Sequence, residues 1–297
     1  MIRIGIVTVR DQNYHPNRRL LDAVHAYGHR GLLIHPYRLW AITQAGRLSV
    51  TAEKAVDLPH VILPRQGAEI GDTCLALLHQ FQLMGIPLVN GLRAVMTARN
   101  KFLTQQTLSA AGLTCPDAVF VNDASGLPHA VERLGGYPVV VKSVSGRQGS
   151  GVVCISNADD LHSQALPILD RQHGVVVQHY IPTHDRRDIR ALIIGGELVC
   201  AVSLIPAPGE FRANFHLGSQ IRPAALDTGT EQMAIDAAAA VGCDIAGVDI
   251  MSDGSGQPFI VEVNYAPGFK GMEAASGLDI AGRMIRFAID RYEQKTI

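Results

Sequence analysis

Phe259–Gly268, FIVEVNYAPG, is an apolar run that ends in the turn residues Ala266-Pro267-Gly268. Read as a strand, its side chains alternate between two faces, which predicts that Glu262 and Asn264 share one face with Ile260. A carboxylate and a carboxamide late in an apolar strand are costly to bury unless something binds them.

Asp249 closes the upstream segment AGVD, and Glu262 closes FIVE. The intervening MSDGSGQP is rich in turn formers, so the two segments read as a hairpin. Folded about Ser255-Gly256, the hairpin sets Asp249 opposite Glu262. Two carboxylates directly across a strand pair repel each other. A hard divalent cation removes that cost, and Asn264 adds a third oxygen ligand. Oxygen-only ligands suit Mg²⁺ or Mn²⁺ completed by phosphate oxygens. The alternative, a solvated strand face, fits poorly with strands that are otherwise apolar.

A second glycine-rich segment lies upstream, VVVKSVSGRQGSGVVCI over residues 139–155, with Gly146, Gly149 and Gly151. Glycines let backbone N–H groups approach phosphate oxygens. The loop lies between two apparent strands, which excludes a dinucleotide turn or P-loop, where a helix N-terminus receives the anion. It suits a hairpin lid over a triphosphate. Lys142, the charged residue of an apolar strand, is expected to meet an anion in a cleft. The alternative is a lysine snorkelling from an edge strand.

Strands at Ile2–Val9, Gly31–His35, HVILPR (ending at Arg65) and IPLVN alternate with helices at Pro16–Tyr27 and Thr73–Met84. That alternation predicts a parallel α/β unit. Arg65 falls just past a strand's C-terminal end, where open α/β sheets bind ligands, although a surface arginine fits equally. A helix is expected over Thr97–Ala111. After it the strands become hairpin-like: YPVVVKS with GVVCIS, VVVQHYI, DIRALIIGGELVCAVSLI, and the pair around Asp249 and Glu262. Further helices are expected at Asp227–Val241 and Ser276–Tyr292, the latter opened by a capping box of Ser276 and Asp279.

Composition narrows the function classes. Apolar residues are 47% and charged residues 18% of 297, with a formal net charge of -1, arguing against nucleic-acid or membrane partners. The five dispersed cysteines include no C-x-x-C pair and read as reduced thiols. No signal peptide or spanning run is evident, and a cytoplasmic location is expected. His25 and His29, four apart, flank a helix end at Gly28 and do not suggest a metal site.

Lys142 with GRQGSG, QHYI at 178–181, D-I-R at 188–190, FRAN at 211–214, Asp249 and E-V-N at 262–264 resemble the ATP-grasp fold, and within it the RimK group of carboxylate–amine ligases. The resemblance runs almost end to end. It implies an α/β then α+β chain: a Rossmann-like pre-ATP-grasp domain at 1–95, a central lobe with the glycine lid at 96–175, and a C-terminal lobe with the metal site at 176–297. It also implies that Lys101 and Lys142 touch ATP phosphates beneath Gly146, Gly149 and Gly151. Gln178, His179, Tyr180 and Ile181 would run along adenine, and Asp188 would reach the ribose. Arg212 and Asn214 would hold the γ-phosphate and metal, with Arg212 and Lys142 acting in catalysis. Asp249, Glu262 and Asn264 would ligate Mg²⁺ or Mn²⁺.

The implied reaction adds glutamate or another amino acid to a peptide, protein C-terminus or small-molecule carboxylate through an acyl phosphate. A homo-oligomer, dimer or tetramer, is expected. The alternatives are a peptide ligase acting on a carrier protein, a kinase, or a non-catalytic synapsin-like ATP-binding protein. Retention of the metal ligands, Lys142 and Arg212 favours catalysis. Departures from the group are His179 for the usual hinge glutamate, Asn100 for aspartate, Leu217-Gly218-Ser219 for R-G-G, and Lys270 for an acidic residue. They imply a rearranged pocket charge and a different acceptor or amine.

Overall fold

The computed structural model describes residues 1–53, 56–67, 70–146, 151–207, 210–212 and 219–296. The chain opens with three parallel strands in the order Arg30–Ile34, Arg3–Val7, Val61–Pro64. Helix His15–Ala26 packs on this sheet and on helix Ile280–Thr296, and helix Asp72–Leu83 lies on the opposite face. The expected strand IPLVN reduces to a single parallel bridge from Leu88 to Ile62, because the chain turns almost at once into helix Leu92–Ala98. A hairpin absent from the sequence reading, Trp40–Gln44 with Arg47–Thr51, turns through Ala45 and Gly46, both at positive φ.

The expected helix over Thr97–Ala111 is two helices, Leu92–Ala98 and Lys101–Ala110. Asn100 separates them: its carboxamide oxygen accepts from the backbone N–H of Phe102 and Leu103, both at 3.0 Å, and so starts a fresh helix. Lys101 thereby becomes the first residue of the second helix.

Two antiparallel sheets follow. The smaller has the order Ala118–Val121, Val175–His179, Val139–Ser143, Val152–Ile155. Val175–His179, which the sequence reading divides between its second and third segments, pairs along its whole length inside this sheet. The sheet has its own apolar core around Val139, Val141, Ile155, Val175 and Val177. The larger has the order Gln220–Ala224, Glu197–Ile205, Arg187–Ile194, Ile245–Ser252, Pro258–Asn264. Along its central strand Ala191 and Ile193 join one core while Leu192 and Ile194 join another. That period of two explains why the strand reads as a continuous apolar run: it is covered on both faces. Helix Thr228–Val241, capped by Asp227, covers one face, and Ile280–Thr296 covers the other.

The last helix starts at Ile280, not Ser276. Ser276 ends the preceding helix Lys270–Ser276 and donates its hydroxyl to Met272 O. Gly277, at φ 70°, breaks the chain there, and the new helix is capped by Asp279, which accepts from Gly282 N–H at 2.9 Å, and by Glu273, which accepts from Ala281 N–H at 3.1 Å. The expected capping box is therefore absent.

One buried side chain joins the first and last parts of the chain. Asn90 donates to Ile245 O and Tyr265 O and accepts from Ile245 N–H, all at 2.7 Å. Replacing it with alanine leaves three buried backbone groups without partners. Asn90→Ala is expected to destabilise the fold by about 2–4 kcal/mol in equilibrium denaturation, and a change below about 0.5 kcal/mol would contradict this role.

Candidate active site

The two antiparallel sheets and the N-terminal unit enclose a cleft of about 280 Å³. Its walls carry Lys101, Lys142, Gly146, Gln178, His179, Tyr180, Ile181, Asp188, Arg212, Asp249, Glu262 and Asn264. Most of the residues singled out from sequence thus converge on one space. Gly151 sits at the base of the lid hairpin. Gly149 and Asn214 lie outside the described residues, as do His216, Leu217 and Gly218.

The hairpin forms as expected, with Asp249 paired to Glu262 in register. The register then slips, so that Ile250 pairs with Ile260 and Val261 is an extra residue. This bulge corrects the expected face. Ile260 turns into the core beside Val263, whereas Glu262 and Asn264 open into the cleft.

Both Asp249 oxygens accept from Arg190, Nε to Oδ1 and Nη2 to Oδ2, each at 2.6 Å. Burial opposes the Arg190 charge, but the Asp249 carboxylate outweighs it and raises the guanidinium pKa. The Asn264 amide nitrogen stands 3.5 Å from Asp249 Oδ2. Glu262 makes no hydrogen bond among the described residues, and neither does the Asn264 carboxamide oxygen. Two carboxylates and an unengaged amide oxygen, converging on one cleft, fit a hard divalent cation.

Lys142 is half-buried, and its ammonium donates to Gln178 Oε1. Desolvation lowers its pKa to about 8, although Glu262 and Asp249 favour the charge. The edge-strand alternative is excluded, because this strand is paired on both sides. The Gln178 side chain turns inward to Lys142 and Gln105, so only its backbone is left to face a base. Lys101 Nζ donates to Gly146 O at 3.3 Å, and its backbone N–H donates to Val144 O at 2.9 Å, tying the start of its helix to the lid. At the lid base Gly151 has φ 68°, and an added Cβ would lie 1.9 Å from Ser143 Oγ. Only glycine fits there.

Asp188 Oδ2 accepts from Arg186 Nε at 3.0 Å, while its Oδ1 is buried with no partner among the described residues. Burial raises its pKa against the pull of Arg186. That oxygen is free to accept a hydrogen bond from a donor in the cleft. Arg186 also donates to Ile181 O and Phe211 O, pinning the hinge to the wall below it. Arg212 is held by Glu210 through Nε at 2.8 Å and Nη2 at 2.6 Å, which pushes the glutamate down to about 2.

Arg186 and Arg190 were missed in the sequence. The signal for Arg190 was present: it lies two residues after Asp188, hence on the same face, and its strand partner is Asp249. Arg65 is no surface arginine. It lines the cleft, its Nη2 donates to Pro267 O at 2.6 Å, and burial lowers its pKa to about 10. Lys270 is exposed at the start of its helix. None of the five cysteines lines the cleft.

Residues 2–95 match the RimK pre-ATP-grasp domain, and residues 98–288 match the RimK-like ATP-grasp domain. The chain belongs to the RimK family of ATP-grasp proteins. A probable alpha-L-glutamate ligase of Aeromonas salmonicida (strain A449) is 32% identical to this RimK-family chain over 287 residues, 96% of each. A RimK-domain ATP-grasp protein from Sphaerobacter thermophilus superposes with a TM-score of 0.74 at 21% identity, covering 97% of this chain and 99% of that one. D-alanine–D-alanine ligase from Bacillus anthracis, complexed with ATP, gives 0.73 at 19% identity over 99% and 98%. The fold is therefore ATP-grasp with an N-terminal pre-ATP-grasp unit, and the protein is an ATP-dependent carboxylate–amine ligase. No helix among the described residues is long and apolar enough to cross a membrane.

Proposed function

We propose that this ligase joins glutamate or another amino acid to a carboxylate acceptor through an acyl phosphate. A substrate carboxylate oxygen attacks the γ-phosphorus of ATP, and ADP leaves. The amine nitrogen then attacks the acyl carbon, phosphate leaves, and the amine's proton passes to solvent. The observation that supports this most is the cleft itself: a half-buried lysine, an acceptor on Asp188 without a partner among the described residues, and the Asp249–Glu262–Asn264 set face one space.

In this reading the backbone of Gln178, His179, Tyr180 and Ile181 borders adenine, and Asp188 Oδ1 accepts from a ribose hydroxyl. Lys101 and Lys142 contact phosphate oxygens. Arg212, with Asn214, reaches the γ-phosphate, exchanging Glu210 for a stronger anion. Asp249, Glu262 and Asn264 hold Mg²⁺ or Mn²⁺, which when bound neutralises the charge of the polyphosphate. Arg190 fixes the orientation of Asp249 through its two hydrogen bonds. The cleft supplies positioned cations and no thiol, which suits phosphoryl transfer, where positioning and charge neutralisation do most of the work. A closed lid would keep water from the acyl phosphate.

ADP release measured over a panel of carboxylates, with each of the twenty amino acids as amine and products read by mass, tests the proposal. It predicts release that depends on both substrates and a product heavier by one amino-acid residue. ATP binding without substrate-stimulated release would contradict it.

A further inference from the structure

Four arginines line the cleft among the described residues. Three are matched to a carboxylate: Arg186 to Asp188, Arg190 to Asp249 and Arg212 to Glu210. Arg65 is the exception. Its Nη2 donates to Pro267 O, its guanidinium carbon lies 5.7 Å from the Phe269 ring centre, and its Nε is buried without a partner among the described residues. No carboxylate among the described residues pairs with it, and the side chains that favour its charge are two phenols, Tyr14 and Tyr265. A guanidinium desolvated in this way, with no counter-ion among the described residues, is unfavourable on its own and is matched by an anion from outside the chain.

The surroundings point the same way. Arg65 follows strand Val61–Pro64 at the C-terminal edge of the parallel sheet, where such sheets bind ligands. Helix His15–Ala26 begins beside it with Pro16 in its first turn, no capping side chain and no acidic residue there. Tyr14, Pro16 and Asn17 line the same cleft, so the positive end of this helix borders the space as well. Lys270 adds charge near His15, while nearby Glu273 is already engaged by Arg19. Pro267, whose carbonyl accepts from Arg65, lies three residues beyond Asn264 in the chain, and both line the same cleft.

We propose that Arg65 is the residue that binds a carboxylate of the ligase's own substrate, using its unpartnered Nε and the free edge of the guanidinium, with the start of helix His15–Ala26 alongside. The assignment rests on the ligase reading above and adds the subsite that selects an acidic substrate. The carboxylate belongs either to the amino-acid donor or to the acceptor acid. A planar fork suits either, because Arg pairs with carboxylate through parallel N–H donors.

The test is calorimetric titration of the full chain, loaded with Mg²⁺ and a non-hydrolysable ATP analogue. The probes are L-glutamate, which can act as donor, and N-acetyl-L-glutamate, whose blocked amine leaves only the acceptor role. At least one should bind the natural chain, with affinity lowered about 30-fold or more in Arg65→Gln, the loss expected for a desolvated charge pair. Affinity for the ATP analogue should stay within about threefold. Loss confined to L-glutamate assigns the donor's carboxylate, and loss of both assigns the acceptor's. Arg65→Lys, which keeps the charge without the fork, should recover part of the affinity and guards against a folding defect in the glutamine variant. Equal binding by both chains, binding by neither, or a parallel loss of nucleotide affinity would overturn the assignment. Acid binding that depends on Arg65, with no ADP release for any acid, would sink the ligase reading and leave this one standing; ADP release indifferent to Arg65 would do the reverse.

Discussion

Glu262→Gln lowers ATP turnover by about 10³-fold or more while the protein stays folded. Glu262 opens into the cleft across from Asp249 and its side chain makes no hydrogen bond among the described residues, so the substitution breaks no side-chain hydrogen bond there. Losing that charge removes an anionic oxygen ligand from the proposed cation site. It also weakens the field that favours Lys142 and Arg190 in their charged forms. Repulsion of Asp249 is relieved at the same time, so the melting temperature should move by only a few degrees. Mn²⁺ affinity, followed by paramagnetic resonance, should fall together with turnover. A variant with near-normal rate at limiting Mg²⁺ would remove Glu262 from the metal set.

Lys142→Met has the second-largest expected effect, about 10²-fold or more on kcat/KM for ATP. Methionine keeps most of the stem's volume, so the loss reports the ammonium. The sign on stability is opposite to that of an ordinary salt-bridge deletion. The folded pKa, about 8, lies below the unfolded value of 10.5, so burying this charge opposes folding below about pH 8. That cost is relieved as pH rises from about 8 toward 10.5, and methionine removes it at every pH. The variant should therefore be no less stable than the natural protein at pH 7. For the natural chain, ATP affinity should fall as pH climbs past about 8, because the free protein then loses the proton that the phosphates require. Lys142→Met should flatten that limb of the profile. An unchanged pH dependence in the variant would transfer the role to another group.

The sequence made the chemistry of the site legible to the extent that the chemistry is local. Asp249 and Glu262 could be paired because turn formers separate two apolar segments, and the pairing register holds at that point. The bulge at Val261 was not legible, since an extra residue on one strand shows only against its partner. Arg190 belongs to the D-I-R motif at 188–190, yet its role is not legible there, because its contact with Asp249 needs the neighbouring strand in place. Asn100 read as a departure within a helix, whereas its carboxamide is what divides that helix and sets Lys101 at the lid.

Arg65 shows the longest-range failure. Burial beneath Phe269 and attachment to Pro267 depend on residues about two hundred positions away, and no pattern around ILPRQGA distinguishes that state from a surface arginine. The strand alternation of Ala191–Ile194 was readable as apolar but not as two separate cores, which required both covering helices. Local propensity thus gave the elements, and the contacts that charge-match the cleft came only from their assembly.

The central claim is that phosphate is transferred to a substrate carboxylate before the amide forms. A carboxylate substrate labelled with ¹⁸O, turned over with ATP, Mg²⁺ and the amine that supports ADP release, tests this directly. An acyl phosphate passes one labelled oxygen from the carboxylate to inorganic phosphate, so mass spectrometry should find phosphate carrying a single ¹⁸O, in step with the amide. Unlabelled phosphate, or AMP and pyrophosphate in place of ADP, would contradict the account.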